Sequence, residues 1–117
     1  MREHDEPRLK TALWVSAVLR QANMSGRGAV RLRKGDEDAG GVLAILVDRA
    51  RQAVVLTRTI TGEGRRAWIR GTGIAPVSEE EAAAYVDRQV RRDPDLWVLE
   101  FETDDLEPPF EAQVLQD

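Results

Sequence analysis

The sequence predicts an α+β domain: a mainly antiparallel sheet of about five strands with two helices, in the order α-β-β-β-β-α-β. Three observations predict it. Residues 28–70 hold four short runs, apolar throughout or alternating with polar residues, separated by turns rich in Gly and Asp. Two longer stretches, from Thr11 and from Ser78, have the length and boundary residues of helices. A final apolar run, Leu96–Leu99, follows the second helix almost at once.

The first helix is expected to start with Thr11 as its cap. Its body, Ala12–Leu19, is apolar nearly all round, and Gly26 and Gly28 break it. In the first strand Val30 and Leu32 alternate with Arg31 and Arg33, which predicts an apolar side in the core and two guanidinium groups in water. Lys34–Gly41 has the composition of a turn, and the unbroken apolar run Val42–Val47 that of a central strand. Asp48–Arg51 then makes a hairpin connection to a strand over Ala53–Ile60, and Thr61–Gly64 turns the chain into Arg66–Arg70. Strands joined so briefly imply an antiparallel meander.

Gly71, Gly73 and Pro76 mark a loop. The second helix is then announced by a capping box of Ser78 and Glu81, a staple of Val77 and Ala82, and three successive glutamates at its positive end. Ala82, Tyr85, Val86, Gln89 and Val90 form its apolar side, and both helices are expected on one face of the sheet. Arg88, Arg91 and Arg92 suit the helix end, and Pro94 cannot continue it. Leu96–Leu99 are apolar in succession, as in a strand covered on both faces, whereas Glu100 and Glu102 around Phe101 predict an exposed far end.

The 117 residues suit one domain: a polar segment at 1–10, the folded body at 11–103 and an acidic, flexible tail at 104–117. All 17 basic residues and 14 of the 21 acidic ones precede Glu100, while the remaining seven acids stand without a base at the end. A tail so charged can fold back over the basic body and screen it. Without cysteine, disulfides and thiolate metal sites are excluded, and the N-terminal residues show no signal-peptide run. No stretch approaches the roughly 18 apolar residues of a membrane span, so a cytoplasmic location and no membrane partner are expected.

Catalytic groups are poorly supplied. The single histidine, His4, lies in the polar start, and Ser16, Ser25 and Ser78 each have a structural role without a neighbouring base. Asp36, Glu37 and Asp38 crowd one turn but lack the calcium-loop spacing, and Gly62–Gly64 and Gly71–Gly73 lack a phosphate-loop continuation. No catalytic residue, metal or cofactor is expected, and a small enzyme built on the clustered carboxylates or a phosphate loop is the least favoured alternative. Asp93 and Asp95 are read as partners of Arg33 or Arg92. The basic strands carry more content: Arg31, Arg33, Arg58, Arg66 and Arg70 sit at strand positions where one solvent face can collect them, with Trp68 among them. These six residues are the candidate binding site. A protein partner of an adaptor-like module is expected there, with single-stranded RNA, stacked on Trp68, as the alternative, though the chain's pI of about 5.1 is low for an RNA binder. Trp14 and Trp97 are assigned to the core. A homodimer through a sheet edge is a further expectation.

Several stretches also carry a resemblance. Leu13-Trp-Val-Ser-Ala-Val-Leu-Arg20, Arg33-Lys-Gly-Asp36 with Ala39-Gly40, Trp68, and Arg92-Asp-Pro-Asp-Leu-Trp-Val98 with Glu100 make the chain resemble an alphaproteobacterial family known as domain of unknown function 1491. The resemblance covers nearly the whole chain. It implies a small bacterial domain and carries no activity with it.

Overall fold

A computed structural model describes residues 10–60, 64 and 66–115. The polar start with His4 and the turn at Thr61–Glu63 lie outside these. The chain runs through α1 (Thr11–Met24), β1 (Ala29–Arg33), β2 (Val42–Val47), β3 (Gln52–Ile60), β4 (Arg66–Arg70), β5 (Val77–Ser78), α2 (Glu79–Arg92) and β6 (Trp97–Glu102). The fold is α+β, with one sheet in the order β1-β6-β2-β3-β4 and the two-residue β5 paired to the start of β3.

The sheet is not one continuous meander. Only β2-β3-β4 follow each other as antiparallel neighbours. β6 enters between β1 and β2, antiparallel to the first and parallel to the second. The cause lies in the two unbroken apolar runs: every residue of β2 is buried, as are Trp97, Val98 and Leu99 of β6, and placing the two strands side by side in the centre covers both. Phe101 is also buried while Glu102 is exposed, so the end of β6 emerges into water as its alternation predicts.

The helices lie on opposite faces, not on one. Val15, Val18 and Ala22 of α1 pack with Val42, Ala44, Leu46, Leu99 and Phe101. Ala82 of α2, with Tyr85, Val86 and Val90, packs instead with Leu43, Ile45, Val47 and Val98. Successive residues of a strand point to opposite faces, so strands apolar at every position need cover on both. Two helices on one face would leave Leu43, Ile45 and Val47 wet.

β1 also departs from its expected role. It is an edge strand, and Val30 and Leu32 are 50% and 54% exposed. Val30 stands opposite Glu100, beyond the reach of α2, and an irregularity between Arg31 and Arg33 shifts the register. Arg31 faces Leu99, a residue of the α1-side core, whereas Arg33 faces Val98 on the α2 side. The two guanidinium groups therefore do not share a face.

The ends of the helices show two kinds of capping. At α2 the box is complete: Ser78 Oγ accepts from the Glu81 amide at 3.1 Å, and Glu81 Oε1 accepts from the Ser78 amide at 3.4 Å. At α1 the Thr11 side chain does not cap. Its hydroxyl donates to Gly40 O at 3.0 Å, while the Thr11 and Ala12 amides donate to Asp38 O and Glu37 O at 3.4 and 3.0 Å. The acidic turn supplies the carbonyls that the first helical turn lacks.

That turn is also tied to the start of β6. The Asp36 amide donates to Asp95 O at 3.0 Å, and Trp97 Nε1 donates to Asp36 O at 2.7 Å. Arg33 Nη2 donates to Pro94 O at 2.9 Å, where Asp93 or Asp95 had been the expected partner. A Cβ at Gly35 or Gly40 would collide with the Asp95 carbonyl, so both positions require glycine. Asp36 Oδ2 accepts from the Asp38 and Ala39 amides at 3.2 and 2.9 Å, the chemistry of a tight acidic turn.

Candidate binding face

On β4, Arg66, Trp68 and Arg70 alternate with Ala67 and Ile69 and therefore share a face, the one that carries α1. Arg58 of β3 stands directly opposite Trp68 and joins them. Above these strands lies Trp14 of α1, its ring centroid 5.8 Å from that of Trp68. The Arg58 guanidinium carbon sits 5.2 Å from the Trp14 ring centroid, a cation–π distance, and Nη2 donates to Gly40 O at 3.3 Å.

Residues 104–115 complete this surface. After β6 the chain turns through Leu106, whose φ of 56° is left-handed, and then runs across the α1 side of the sheet. The Phe110 ring centroid lies 5.5 Å from Trp14, 5.2 Å from Trp68 and 5.4 Å from Phe101. Val114 makes a parallel bridge to Trp68: the Trp68 amide donates to Gln113 O and the Leu115 amide to Trp68 O, both at 2.8 Å. Glu107 reaches Arg70 at 3.8 Å. Glu111, Ala112 and Gln113 form one wall of a cleft of about 440 Å³ whose other walls are Trp14, Arg58, Arg66 and Trp68.

Burial and the neighbouring Arg66 charge lower the pKa of Arg58 from the ordinary arginine range to about 10. It remains a cation at neutral pH, desolvated and pressed against a second cation. Such a pair stabilises an anion placed between them.

The structure brings together four of the six candidate residues: Arg58, Arg66, Trp68 and Arg70. Arg31 and Arg33 lie on the opposite edge strand, with β6, β2 and β3 between. Arg33 is engaged at Pro94, and its buried Nε has no partner among the described residues. Trp68 is only 4% exposed, held beneath Phe110 and beside Trp14. Glu107 and Glu111 come from the acidic tail that the sequence marks as able to cover the arginines, whereas Trp14 and Phe110 belong to the face and were not singled out for it. One signal for them existed: Phe110, Ala112 and Val114 alternate with Glu111 and Gln113, the pattern of a half-buried strand.

These features define a small α+β domain, a mixed sheet between two helices with a cationic, aromatic-lined edge. The chain belongs to the family described as protein of unknown function (DUF1491), whose model matches residues 9–111. It is similar to a DUF1491 family protein from Caulobacter crescentus in its crystal structure, at 36% identity and a TM-score of 0.83, over 92% of this chain and 100% of that one. An NMR structure of a DUF1491 family protein from the same organism gives 35% identity and a TM-score of 0.82, over 95% and 100%. The solution structure of protein Atu0922 from A. tumefaciens gives 28% and 0.77, again over 95% and 100%. No curated protein matches. Among the described residues, no helix is long and apolar enough to cross a membrane.

Proposed function

We propose that this protein is a non-enzymatic binding module that receives an acidic partner on the Arg58, Arg66, Trp68 and Arg70 face, and that its own acidic segment covers that face until the partner displaces it. One observation carries the reading. Glu107 stands against Arg70, and Glu111 walls the cleft of Arg58 and Arg66, so the chain already sets carboxylates where the guanidinium groups favour an anion. A long, partly exposed pair such as Glu107–Arg70 contributes on the order of 1 kcal/mol or less and weakens with salt, which suits a cover that can be displaced. The partner is met in the cytoplasm, in keeping with a chain that has no cysteine.

The test is a titration with two labelled polyanions at low salt, poly-L-glutamate and oligouridine, followed by fluorescence anisotropy. Replacing Glu107 and Glu111 by glutamine is expected to tighten poly-L-glutamate binding by roughly two- to fivefold, the effect of removing one competing ion pair and a second carboxylate from the cleft wall. Replacing Arg58, Arg66 and Arg70 by glutamine is expected to abolish it. Binding that ignores both sets of substitutions overturns the proposal. A preference for oligouridine would point to single-stranded RNA, which needs Phe110 to leave Trp68 before a base can stack there.

A further inference from the structure

The partner's mode of attachment follows from the main chain of β4. The Gly71 amide donates to Val55 O at 2.9 Å, which sets the phase of the ladder: the polar groups of Ala67 and Ile69 turn toward β3, and those of Arg66, Trp68 and Arg70 turn outward. Residues 113–115 pair with this edge at Trp68 alone, through an isolated bridge. The same register continued along the strand would bring Arg66 and the Arg70 amide into the pairing as well. The resident segment is thus a short occupant of a longer edge, and its acidic residues already meet the arginines whose side chains flank it.

We infer that the partner is an extended acidic polypeptide segment that pairs with β4 in place of residues 113–115, adding a strand to the sheet. This rests on the reading of the arginine face given above. Main-chain hydrogen bonds to Arg66, Trp68 and Arg70 hold the incoming strand, and its acidic side chains meet Arg58, Arg66 and Arg70. An apolar side chain takes the place of Val114. Because the resident segment must leave first, the apparent affinity is lowered by the fraction of molecules in which it is still bound.

A labelled peptide of residues 107–115 serves as the probe, since its contacts with this edge are known. It is titrated by anisotropy into the full chain and into the full chain carrying Leu115→Pro. Proline has no amide to donate to Trp68 O, so the variant loosens the resident strand without changing any charge. The variant is expected to bind the peptide about fivefold more tightly, the equivalent of one hydrogen bond of about 1 kcal/mol. A second peptide, methylated on the Leu115 nitrogen, is expected to bind the unmodified chain at least about fivefold more weakly for the same reason. If Leu115→Pro disturbs the fold, as circular dichroism would reveal, the methylated peptide decides. Equal binding of the two peptides, while the arginine substitutions still abolish binding, overturns strand addition and leaves the face intact. Peptide binding indifferent to Arg58→Gln, Arg66→Gln and Arg70→Gln overturns both.

Discussion

The two edges of the sheet are closed by different means. At β1 a single side chain does it: Asn23, near the end of α1, accepts from the Ala29 amide at 3.2 Å and donates to Ala29 O at 3.0 Å, standing in for a neighbouring strand. The register of β1 then shifts between Arg31 and Arg33, and an irregularity of this kind works against pairing with a further strand. At β4 a stretch of chain does it, through Val114, Phe110 and Glu107. The first device spans six residues and is anchored to a helix, so it opens only if the helix end unravels. The second is joined to the body by a turn at 104–107 and is held by a ring, two main-chain bonds and a surface ion pair. An edge guarded by a side chain is a permanent stop, whereas an edge guarded by a segment is exchangeable.

The contrast can be broken most forcefully at Phe110. Phe110→Ala empties the space between Trp14, Trp68 and Phe101 and is expected to cost about 2–3 kcal/mol, below the fully buried range because the ring is half-buried. Urea denaturation followed by tryptophan fluorescence measures it, and the native emission should shift to the red as Trp68 meets water. A loss below about 0.5 kcal/mol would mean that the ring does not hold the segment.

At the other edge, Asn23→Ala should cost about 1–2 kcal/mol, the value of the lost hydrogen bonds to Ala29. Light scattering across a concentration series should then show self-association, because an outward strand main chain has been uncovered. A variant that loses stability yet stays monomeric would assign Asn23 to ending the helix, where it also donates to Leu19 O at 2.9 Å.

The smallest effect is expected between the edges. Thr103 closes β6, is 4% exposed, and its hydroxyl has no partner among the described residues. Thr103→Val keeps the shape and removes an unsatisfied polar group, so a gain of up to about 1 kcal/mol in the melting curve is expected, with no change in association or peptide binding. A loss of stability would show that the hydroxyl has a partner in solution.

Local chemistry made much of this fold legible in the sequence. The Ser78–Glu81 box, the stop at Pro94 and the exposed end of β6 each depend on residues within a few positions of one another. What escaped depends on distant partners. The unbroken runs Val42–Val47 and Leu96–Leu99 did announce two covered faces, and that alone argues for helices on both; the expectation of a single helical layer overlooked it. The register shift that parts Arg31 from Arg33 has no local marker, so alternation carried through it and paired two arginines that face opposite ways. At the candidate face, composition made the arginines visible, whereas the strand-like alternation of residues 110–114 was masked by the acidic residues between and around them.

The insertion of β6 between β1 and β2 has a bearing on how the chain reaches this structure. During synthesis, α1 and the strands through β4 leave the ribosome before β6 exists, and β1 has no neighbour in the sheet until Trp97–Glu102 arrives. The bond from Trp97 to Asp36 bridges 61 positions, and each such closure is entropically costly before it is rewarded. The β2-β3-β4 hairpins can form early, but Val42–Val47 then presents a bare apolar edge while the ribosome completes more than 30 further residues. Completion of this sheet therefore requires a long-range capture in its middle, before residues 104–115 can close over it, and the interval before that capture leaves apolar strand surface open to aggregation.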